Sequence, residues 1–511
     1  MIENRTQKAT KSMITSGIYY ITNILLGLLN RRFLILIMGI DYQGVNGLFT
    51  SVLSVLEMAE LGIGTAIIYH LYKPLAENDI NQIKSIMHFY KKCYTIIALV
   101  IGIIGCILCV NIEFFVGTTE LELNLRLVFL LMLADVIGTY TLAYKRSILY
   151  ADQKNYIVAN VNTCFVVAYN IFQLLILFLT KNYYLYLLVK VILRVGANII
   201  VNIIVNNQYK YLKDNSADPL SKDILSDIVR KVKGLMCHKI GTFVVNGTDN
   251  IFISKLVDLT TVGVYANYNY VISAVNSLLN QIIDGATGSI GNLLVKSDRI
   301  HRLEVFKEMN LLNLLFSTTA ISIFAVAIDD FISVFFGSQY SLEQKVLIVL
   351  LVNMIFTNQR RVWGTLKTAA GIQYEDRWVP VFESVINLIM SYSMFKVFGL
   401  AGIFIGTIFT HMGVFFYTFP VLVGKRLFET EYKDYLLYMT PIVIYQTVIV
   451  FMSFFEINML FVKNHFISMI LKSCLAVMLS GISFLVVFSR KQEFKNLFER
   501  FRRLVYGKKS K

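Results

Sequence analysis

The twenty residues NRRFLILIMGIDYQGVNGLF at positions 30–49 decide how this chain is organised. They align without a gap with DNIFISKLVDLTTVGVYANY at positions 249–268, an offset of 219 residues (249 minus 30). Gly44 then matches Gly263. Both stretches lie in apolar segments that we expect to start on the same side of a membrane. The alignment therefore predicts two parallel repeats related by an axis along the membrane normal.

The composition predicts an integral membrane protein. The chain has 511 residues, of which 56% are hydrophobic and 16% are charged. A soluble domain carries about 25% charged residues. The first apolar run, at about residues 13–39, is longer than the apolar region of a signal peptide and has no A-x-A cleavage site, so we interpret it as an uncleaved first span.

Apolar windows of about 20 residues are the length that crosses a bilayer as a helix. They predict an all-α polytopic protein of about 14 transmembrane helices, with two parallel six-helix lobes and two further C-terminal helices. Arg360 and Arg361 interrupt the tenth window. The predicted spans are 13–39, 44–72, 88–115, 124–149, 154–180, 183–207, 235–257, 262–294, 305–336, 343–370, 376–398, 400–424, 434–456 and 466–489.

The spans define five segments. They are an N-terminal lobe at 1–207, a cytoplasmic linker at 208–234, a C-terminal lobe at 235–424, helices 13 and 14 at 425–489, and a basic amphipathic tail at 490–511.

Lysine and arginine alternate between rich and poor links, which predicts the orientation. The links that we place outside carry few basic residues: Lys181, Lys255, Lys345, Lys396 and Lys463. Both termini are then cytoplasmic, and the net charge of +15 reflects topology rather than nucleic-acid binding. In the tail, Phe494, Leu497, Phe498, Phe501 and Leu504 recur at helical spacing, so we expect an amphipathic helix on the inner leaflet.

Two adjacent arginines, Arg31 and Arg32, lie inside the first span, where a charge costs about 2.5–3.5 kcal/mol on the most permissive scale. Arg31 precedes Gly39 by eight residues and so lies about 12 Å below the outer helix end. Because adjacent residues point about 100° apart, one arginine can snorkel outward while the other lines a wet central cavity and binds an anion. Which of the two faces the cavity is left open.

Other charges in the spans form pairs at helical spacing. Glu57 and Glu60 share a helix face, as do Lys190 and Arg194. We expect the two carboxylates to meet the arginines of the first helix, and Gly62 and Gly64 to permit close packing or a bend. Asp249, which aligns with Asn30, is a candidate for pairing an arginine or carrying a proton or Na⁺. The remaining charges in this group are Lys239, Asp284, Arg360, Arg361 and Glu383.

Catalytic and metal motifs are missing from the sequence. It contains no G-x-x-x-x-G-K-[ST] and no H-E-x-x-H, and its six histidines do not cluster. Cys106 and Cys109 form a C-x-x-C without a second pair, which favours helix packing over a metal site. The links that we place outside are too short for a catalytic domain. We therefore predict no enzyme activity, no catalytic residue, no bound metal and no cofactor.

The chain resembles the bacterial polysaccharide-repeat-unit flippases, the Wzx type, of the multidrug/oligosaccharidyl-lipid/polysaccharide exporter superfamily. The order and spacing of the matching segments carry the resemblance, which runs from the first helix to the twelfth. The segments are FTSVLSVLEMAELGIGTAIIYHLYKPLAEND, NGTDNIFISKLVDLTTVGVYANYNYVI, GSIGNLL followed by KSD, the AAG of TLKTAAGIQYEDRW, VPVFESVINLIM and GLAGIFIGTIFT.

The resemblance implies a MATE-like pair of helical lobes, a cationic central cavity and alternating access. The substrate would be an undecaprenyl-diphosphate-linked oligosaccharide, flipped across the cytoplasmic membrane for capsule or exopolysaccharide synthesis. Its diphosphate would be held by basic residues: Arg31, Arg32, Lys190, Arg194, Arg360 and Arg361. Coupling or lobe contact would use carboxylates: Glu57, Glu60, Asp249, Asp284 and Glu383. Besides this substrate and membrane lipids, partners would be a polysaccharide polymerase and glycosyltransferases, and energy would come from an H⁺ or Na⁺ gradient or the membrane potential.

Two other readings stay open. A peptidoglycan lipid-precursor flippase would use the same physics and differ mainly in the sugar. A multidrug/cation antiporter of the same fold would favour an acidic cavity, whereas the intramembrane charges here have a basic excess.

Overall fold

The computed structural model describes residues 5–60, 62–116, 121–214, 218–284, 290, 298–370, 372, 376–460 and 462–506. Within these ranges the regular structure is helical, as the apolar runs predict, and each predicted span contains a helix. The predicted all-α class is confirmed.

The helices before the middle of the chain are numbered in order. They are α1 Arg5–Met38, α2 Ile40–Glu57, α3 Ile63–Glu77, α4 Ile80–Val110, α5 Leu125–Tyr140, α6 Arg146–Ala151, α7 Asn155–Thr180, α8 Tyr183–Gln208, α9 Lys222–Gly247, α10 Asp249–Leu256 and α11 Leu259–Asp284.

The later helices begin after the region around residue 290. They are α12 Arg299–Phe335, α13 Gln344–Ala370, α14 Val379–Phe398, α15 Leu400–Phe428, α16 Tyr432–Ile457, α17 His465–Phe488 and α18 Gln492–Tyr506. Part of α15, Val414–Gly424, is π-helical and contains Pro420, which has no N–H to donate to the helix ladder.

Ten helices among the described residues are long and apolar enough to cross a membrane. With the composition, they identify a multi-pass membrane protein. The number of fourteen spans remains a prediction, because several predicted spans are divided between shorter helices. The span predicted at 235–257, for example, is shared by α9 and α10.

The chain forms two compact units, Met1–Gly263 and Val264–Lys511, and the boundary falls inside α11. In the first unit α8 packs against α5 and α7, and α2 packs against α5, α9 and α10. Helix α10 and the part of α9 from residue 235 onward, which the sequence analysis assigned to the C-terminal lobe, are part of this first compact unit. The lobe boundaries predicted from the repeat remain a prediction.

The aligned glycines of the repeat meet within the first unit. A Cβ on Gly44 would lie 2.2 Å from the carbonyl oxygen of Leu259, and a Cβ on Gly263 would lie 2.5 Å from that of Ile40. Both contacts join residues that correspond at the offset of 219, and α2 and α11 begin at corresponding residues, Ile40 and Leu259. The contact is therefore reciprocal, as a two-fold relation between the repeats requires.

The second predicted span bends at Gly62, as its glycines indicated. Helix α2 ends at Glu57, a 3₁₀ turn covers Met58–Glu60, and Gly62 has a φ of 81° before α3 begins. Glycine adopts this left-handed conformation without the steric cost that a Cβ brings.

In the second unit, α12 is the central helix and packs against α13, α16, α17 and α18. Its core is aromatic: Trp363 lies 4.4 Å from Phe306 and 5.2 Å from Tyr435, measured between ring centroids. Asp330 near the end of α12 accepts hydrogen bonds from Ser468 (2.6 Å) and His465 (2.7 Å) of α17.

The amphipathic tail helix, α18, docks on the protein itself. Glu308 of α12 is 3% exposed, and it pairs with Arg500 at 3.1 Å and accepts a hydrogen bond from Asn496 at 3.1 Å. Phe494 and Leu497 pack against the core of the second unit, whereas Phe498 is 59% exposed. Part of the apolar face that the sequence assigned to the inner leaflet is thus covered by α12 and its neighbours. The side chains of Phe501 and Leu504 lie outside the described part of the chain.

Candidate functional site

The strongest ionic cluster of the first unit joins α5 and α8. Lys190 and Arg194 of α8 both pair with Asp135 of α5, at 3.1 Å and 2.5 Å. The lysine and arginine side chains are 35% and 37% exposed, whereas Asp135 is 13% exposed. Two cations therefore share one carboxylate, which lies behind them. The spacing of four residues on α8 brings both cations to the same face, as predicted.

Asp135 was missed by the sequence analysis. It stands in the apolar run LLMLADVIG at 130–138, and an acidic residue inside such a run marks either an ion pair or a functional site. That signal was present, but the pairing depends on how α5 packs against α8, which the sequence does not give.

Glu57 and Glu60 have different surroundings. The charge that acts most strongly on Glu57 is that of Arg194, with Asp135 and Lys190 also contributing. Glu60 accepts a hydrogen bond from Tyr94 of α4 at 2.7 Å. The chain turns after Glu57, so the two carboxylates do not share one helix face as the sequence predicted. Their contact with the arginines of α1 remains a prediction.

The arginine pair of α1 follows a buried amide cluster. The side chain of Asn30 donates to Asn170 and Gln173 of α7, each at 3.0 Å, and accepts from Tyr186 of α8 at 2.6 Å. Arg31 interacts electrostatically with that same tyrosine. Both Arg31 and Arg32 are partly buried.

Asp249 and Asp284 were predicted as coupling or contact residues. Asp249 is the first residue of α10 and is 7% exposed. Its neighbour Asn250 donates to Ser51 of α2 at 2.9 Å, which holds the start of α10 against α2. The side chain of Asp284, like that of Lys239, lies outside the described residues.

In the second unit, Arg360 and Arg361 of α13 have separate partners. Arg360 pairs with Glu383 of α14 at 2.9 Å and contacts His411 of α15. Arg361 is 8% exposed, and it donates to Asn280 of α11 at 2.6 Å and to Asn358 of its own helix. Adjacent helical residues point about 100° apart, which accounts for the divergence.

A buried amide network lies beside Arg361. Asn358 donates to Asn276 of α11 at 3.2 Å. One residue further along α13, Gln359 donates to Gln446 of α16 at 2.6 Å, and Gln446 donates to Ser317 of α12 at 2.8 Å. The sequence analysis missed these residues, because single amides on separate helices carry no spacing signal.

We predict that Arg361→Lys lowers the stability of the protein by about 1–3 kcal/mol, because a lysine has no planar fork to reach amide oxygens in different directions. The matched control is Arg360→Lys, which keeps a cation for the pair with Glu383 and is expected to change stability by about 1 kcal/mol or less. Thermal unfolding of the purified variants in detergent measures both. An equal shift for the two variants would contradict this account of Arg361.

Comparison with known proteins identifies the fold of the chain. No protein-family model matches the sequence, and no curated protein matches it. Among solved structures, the lipid II flippase MurJ in an inward closed conformation aligns with a TM-score of 0.64 and 12% sequence identity, over 96% of this chain and 99% of that chain.

Two transporters are also similar. An inward-facing multidrug resistance MATE family transporter of the MOP superfamily aligns with a TM-score of 0.61 and 13% identity, over 84% of this chain and 98% of that one. The eukaryotic MATE transporter AtDTX14 aligns with a TM-score of 0.52 and 14% identity, over 86% and 99%. The chain therefore has the helical fold of MOP-superfamily flippases and transporters, which confirms the predicted MATE-like architecture.

Proposed function

We propose that this protein is a transporter that flips undecaprenyl-diphosphate-linked oligosaccharide repeat units across the cytoplasmic membrane for capsule or exopolysaccharide synthesis. The likeness to MurJ covers 96% of the chain, whereas that to the MATE transporter covers 84%. A lipid-linked substrate fits the longer match, because MurJ is named as a flippase of a lipid.

The observation that carries the proposal is the cluster of Lys190, Arg194 and Asp135. Its two cations are about one-third exposed and share one carboxylate. Arg146 adds a third cation in electrostatic range of Arg194. Arginine binds phosphate oxygens through two parallel N–H donors, and lysine adds a compact charge. A diphosphate would replace Asp135 as the partner of the exposed ends of Lys190 and Arg194. The sugars of the substrate would remain in water.

The remaining basic residues of the proposal are Arg31, Arg32, Arg360 and Arg361. The last two have neutral or acidic partners in the second unit, so a diphosphate would have to compete with Glu383 for Arg360. We expect Arg360 and Arg361 to contribute less to diphosphate binding than the cluster on α8.

We propose that Glu57 couples transport to an ion gradient. It lies in the field of Arg194 and Lys190, so its protonation raises the net charge of the cluster and favours an anion. An H⁺ gradient would then drive the cycle without a bound cofactor. Glu60, Asp249, Asp284 and Glu383 keep their proposed coupling or contact roles.

A peptidoglycan lipid-precursor flippase is the second candidate, and the specific observation that favours it is the match to MurJ itself. Both substrates present a diphosphate to the same basic residues and differ in the sugar. The multidrug/cation antiporter is disfavoured, because the three cations of this region, Lys190, Arg194 and Arg146, repel a cationic drug.

The test is complementation of a strain that lacks its polysaccharide flippase. We expect the wild type to restore surface polymer and Arg194→Gln to lower it about tenfold or more at matched expression, because one charge-assisted contact to phosphate is lost. Arg31→Ala, Arg32→Ala and their double variant identify the contribution of α1. The matched control is Arg126→Gln, which removes an exposed arginine paired with Glu113.

Two results would contradict the proposal. Full polymer with Arg194→Gln and with Lys190→Gln would remove the cluster from the substrate path. Rescue of a strain depleted of its lipid II flippase, without rescue of surface polymer in strains with several glycan types, would assign the protein to peptidoglycan synthesis instead.

A further inference from the structure

A small basic pocket lies at one end of the first unit, away from the cluster on α8. Lys145, which lines it, donates to Asn206 of α8 at 2.5 Å. Asn206 follows Lys190 by sixteen residues, which is about 24 Å along a helix. We call this cavity the basic pocket. It is lined by Lys84, Met87, His88, Lys91, Tyr144, Lys145, Leu212 and Asp214.

Helix α4 supplies one wall of the basic pocket. Lys84, His88 and Lys91 follow each other at spacings of four and three, so they lie on one helix face. Met87 is 3% exposed and packs below them, where it accepts a hydrogen bond from Ser147. Lys92 is the next residue after Lys91, points about 100° away and does not line the pocket.

The opposite wall is the segment that follows α8, and it is fixed in place. Tyr209 donates to Asp152 at 2.6 Å and accepts a hydrogen bond from Lys154 at 3.2 Å. Burial and the neighbouring Asp152 raise the pKa of Tyr209, so its phenol stays protonated and keeps donating. The hydrogen bonds of Tyr209 therefore hold the beginning of the segment that carries Leu212 and Asp214.

The charges of the basic pocket do not balance. Lys84 pairs with Asp214 at 2.7 Å, and among the described residues this is the one carboxylate that lines the pocket. Lys145 is 8% exposed, and its hydrogen-bond partner Asn206 is neutral. Lys91 repels Lys145 electrostatically. A buried ammonium group without a carboxylate partner is unfavourable, and an anion in the pocket would relieve both the burial and the repulsion.

We propose that the basic pocket binds the phosphate group of an anionic ligand. Lysine ammonium groups donate up to three hydrogen bonds each, and together they match a tetrahedral anion. We restrict the proposal to the phosphate group, because this is the part of a ligand that the lysines lining the pocket would recognise. The phosphate comes from a soluble phosphate compound or from the headgroup of an anionic lipid, and the two sources share this chemistry.

The experiment uses the full-length protein in nanodiscs of phosphatidylcholine. Inorganic diphosphate, titrated calorimetrically, is the soluble probe. Phosphatidic acid at a fixed fraction of the nanodisc lipid, detected on the protein by native mass spectrometry, is the lipid probe. Because the cluster on α8 is also proposed to bind diphosphate, the titration is repeated with Arg194→Gln. Saturable binding of diphosphate alone that persists in this variant assigns a soluble ligand, and retention of phosphatidic acid alone assigns a headgroup.

Substitutions in the basic pocket and next to it test whether the ligand binds there. We expect Lys91→Gln to weaken binding of the active probe about fivefold, and Lys92→Gln, its neighbour outside the pocket, to leave it unchanged. Asp214→Asn removes the carboxylate and is expected to tighten binding about threefold. Thermal unfolding of each variant confirms that it is folded.

Three results would overturn the proposal. One is the lack of saturable binding of both probes. Another is an equal loss with Lys91→Gln and Lys92→Gln, which would indicate non-specific attraction to a basic surface. The third is weaker rather than tighter binding with Asp214→Asn in a folded protein.

Discussion

Gly44→Ala is expected to lower the free energy of unfolding by about 3 kcal/mol. The added Cβ would lie 2.2 Å from the carbonyl oxygen of Leu259, and a backbone atom cannot rotate away as a side chain can. Helices α2 and α11 would have to separate. Overpacking in a core costs about 1–3 kcal/mol and sometimes more, and we expect the upper end of that range. Gly263→Ala, with its Cβ 2.5 Å from the carbonyl oxygen of Ile40, should behave in the same way.

The measurement is the yield of monodisperse protein in detergent and its unfolding temperature. Gly481→Ala is the matched control, because a Cβ there meets nothing within 4 Å, and alanine favours the helix by about 1 kcal/mol. A Gly44→Ala protein that unfolds at the wild-type temperature would show that α2 and α11 do not approach so closely.

Asp135→Asn is expected to have the second largest effect. It leaves Lys190 and Arg194 without their shared carboxylate. Breaking a buried ion pair costs about 3–5 kcal/mol, and since the two cations are one-third exposed, we expect a loss of about 2 kcal/mol. Glu113→Gln, which breaks an exposed pair with Arg126, should change stability by less than about 1 kcal/mol.

The triple variant Asp135→Asn, Lys190→Met and Arg194→Met separates stability from transport. It removes all three charges, so we expect it to unfold at a higher temperature than Asp135→Asn alone. It should nevertheless fail to restore surface polymer, because both proposed phosphate ligands are gone. If the triple variant is as unstable as the single one, the loss comes from packing at Asp135 and not from unpaired charge.

The sequence predicted the helices well because each is an apolar run, and hydrophobicity acts locally. Even the interruption at Gly62 and the match of Gly44 with Gly263 were visible, since glycine is chosen where a Cβ has no room or a left-handed φ is needed. Features that depend on local hydrophobicity or on the space around a single residue could therefore be predicted from the sequence.

Partners across helices were not predictable. The apolar run around Asp135 does not indicate that Lys190 is its partner. The contact of Gln359 with Gln446 likewise joins helices that are far apart in the sequence. For α18 the pattern is the same whether the apolar face meets lipid or protein. What holds α18 against the protein is Glu308, a buried carboxylate on α12 that pairs with Arg500.

The reciprocal glycine contact bears on the origin of the chain. In a symmetric homodimer each copy presents the same patch, so residue i of one copy touches j of the other, and j touches i. Gly44 on Leu259 and Gly263 on Ile40 have this form within one polypeptide. A half-length ancestor that paired with itself would have made the contact twice over, and gene duplication followed by fusion would have preserved it. The two glycines would then descend from one position, which in each half faces a backbone carbonyl of the other half.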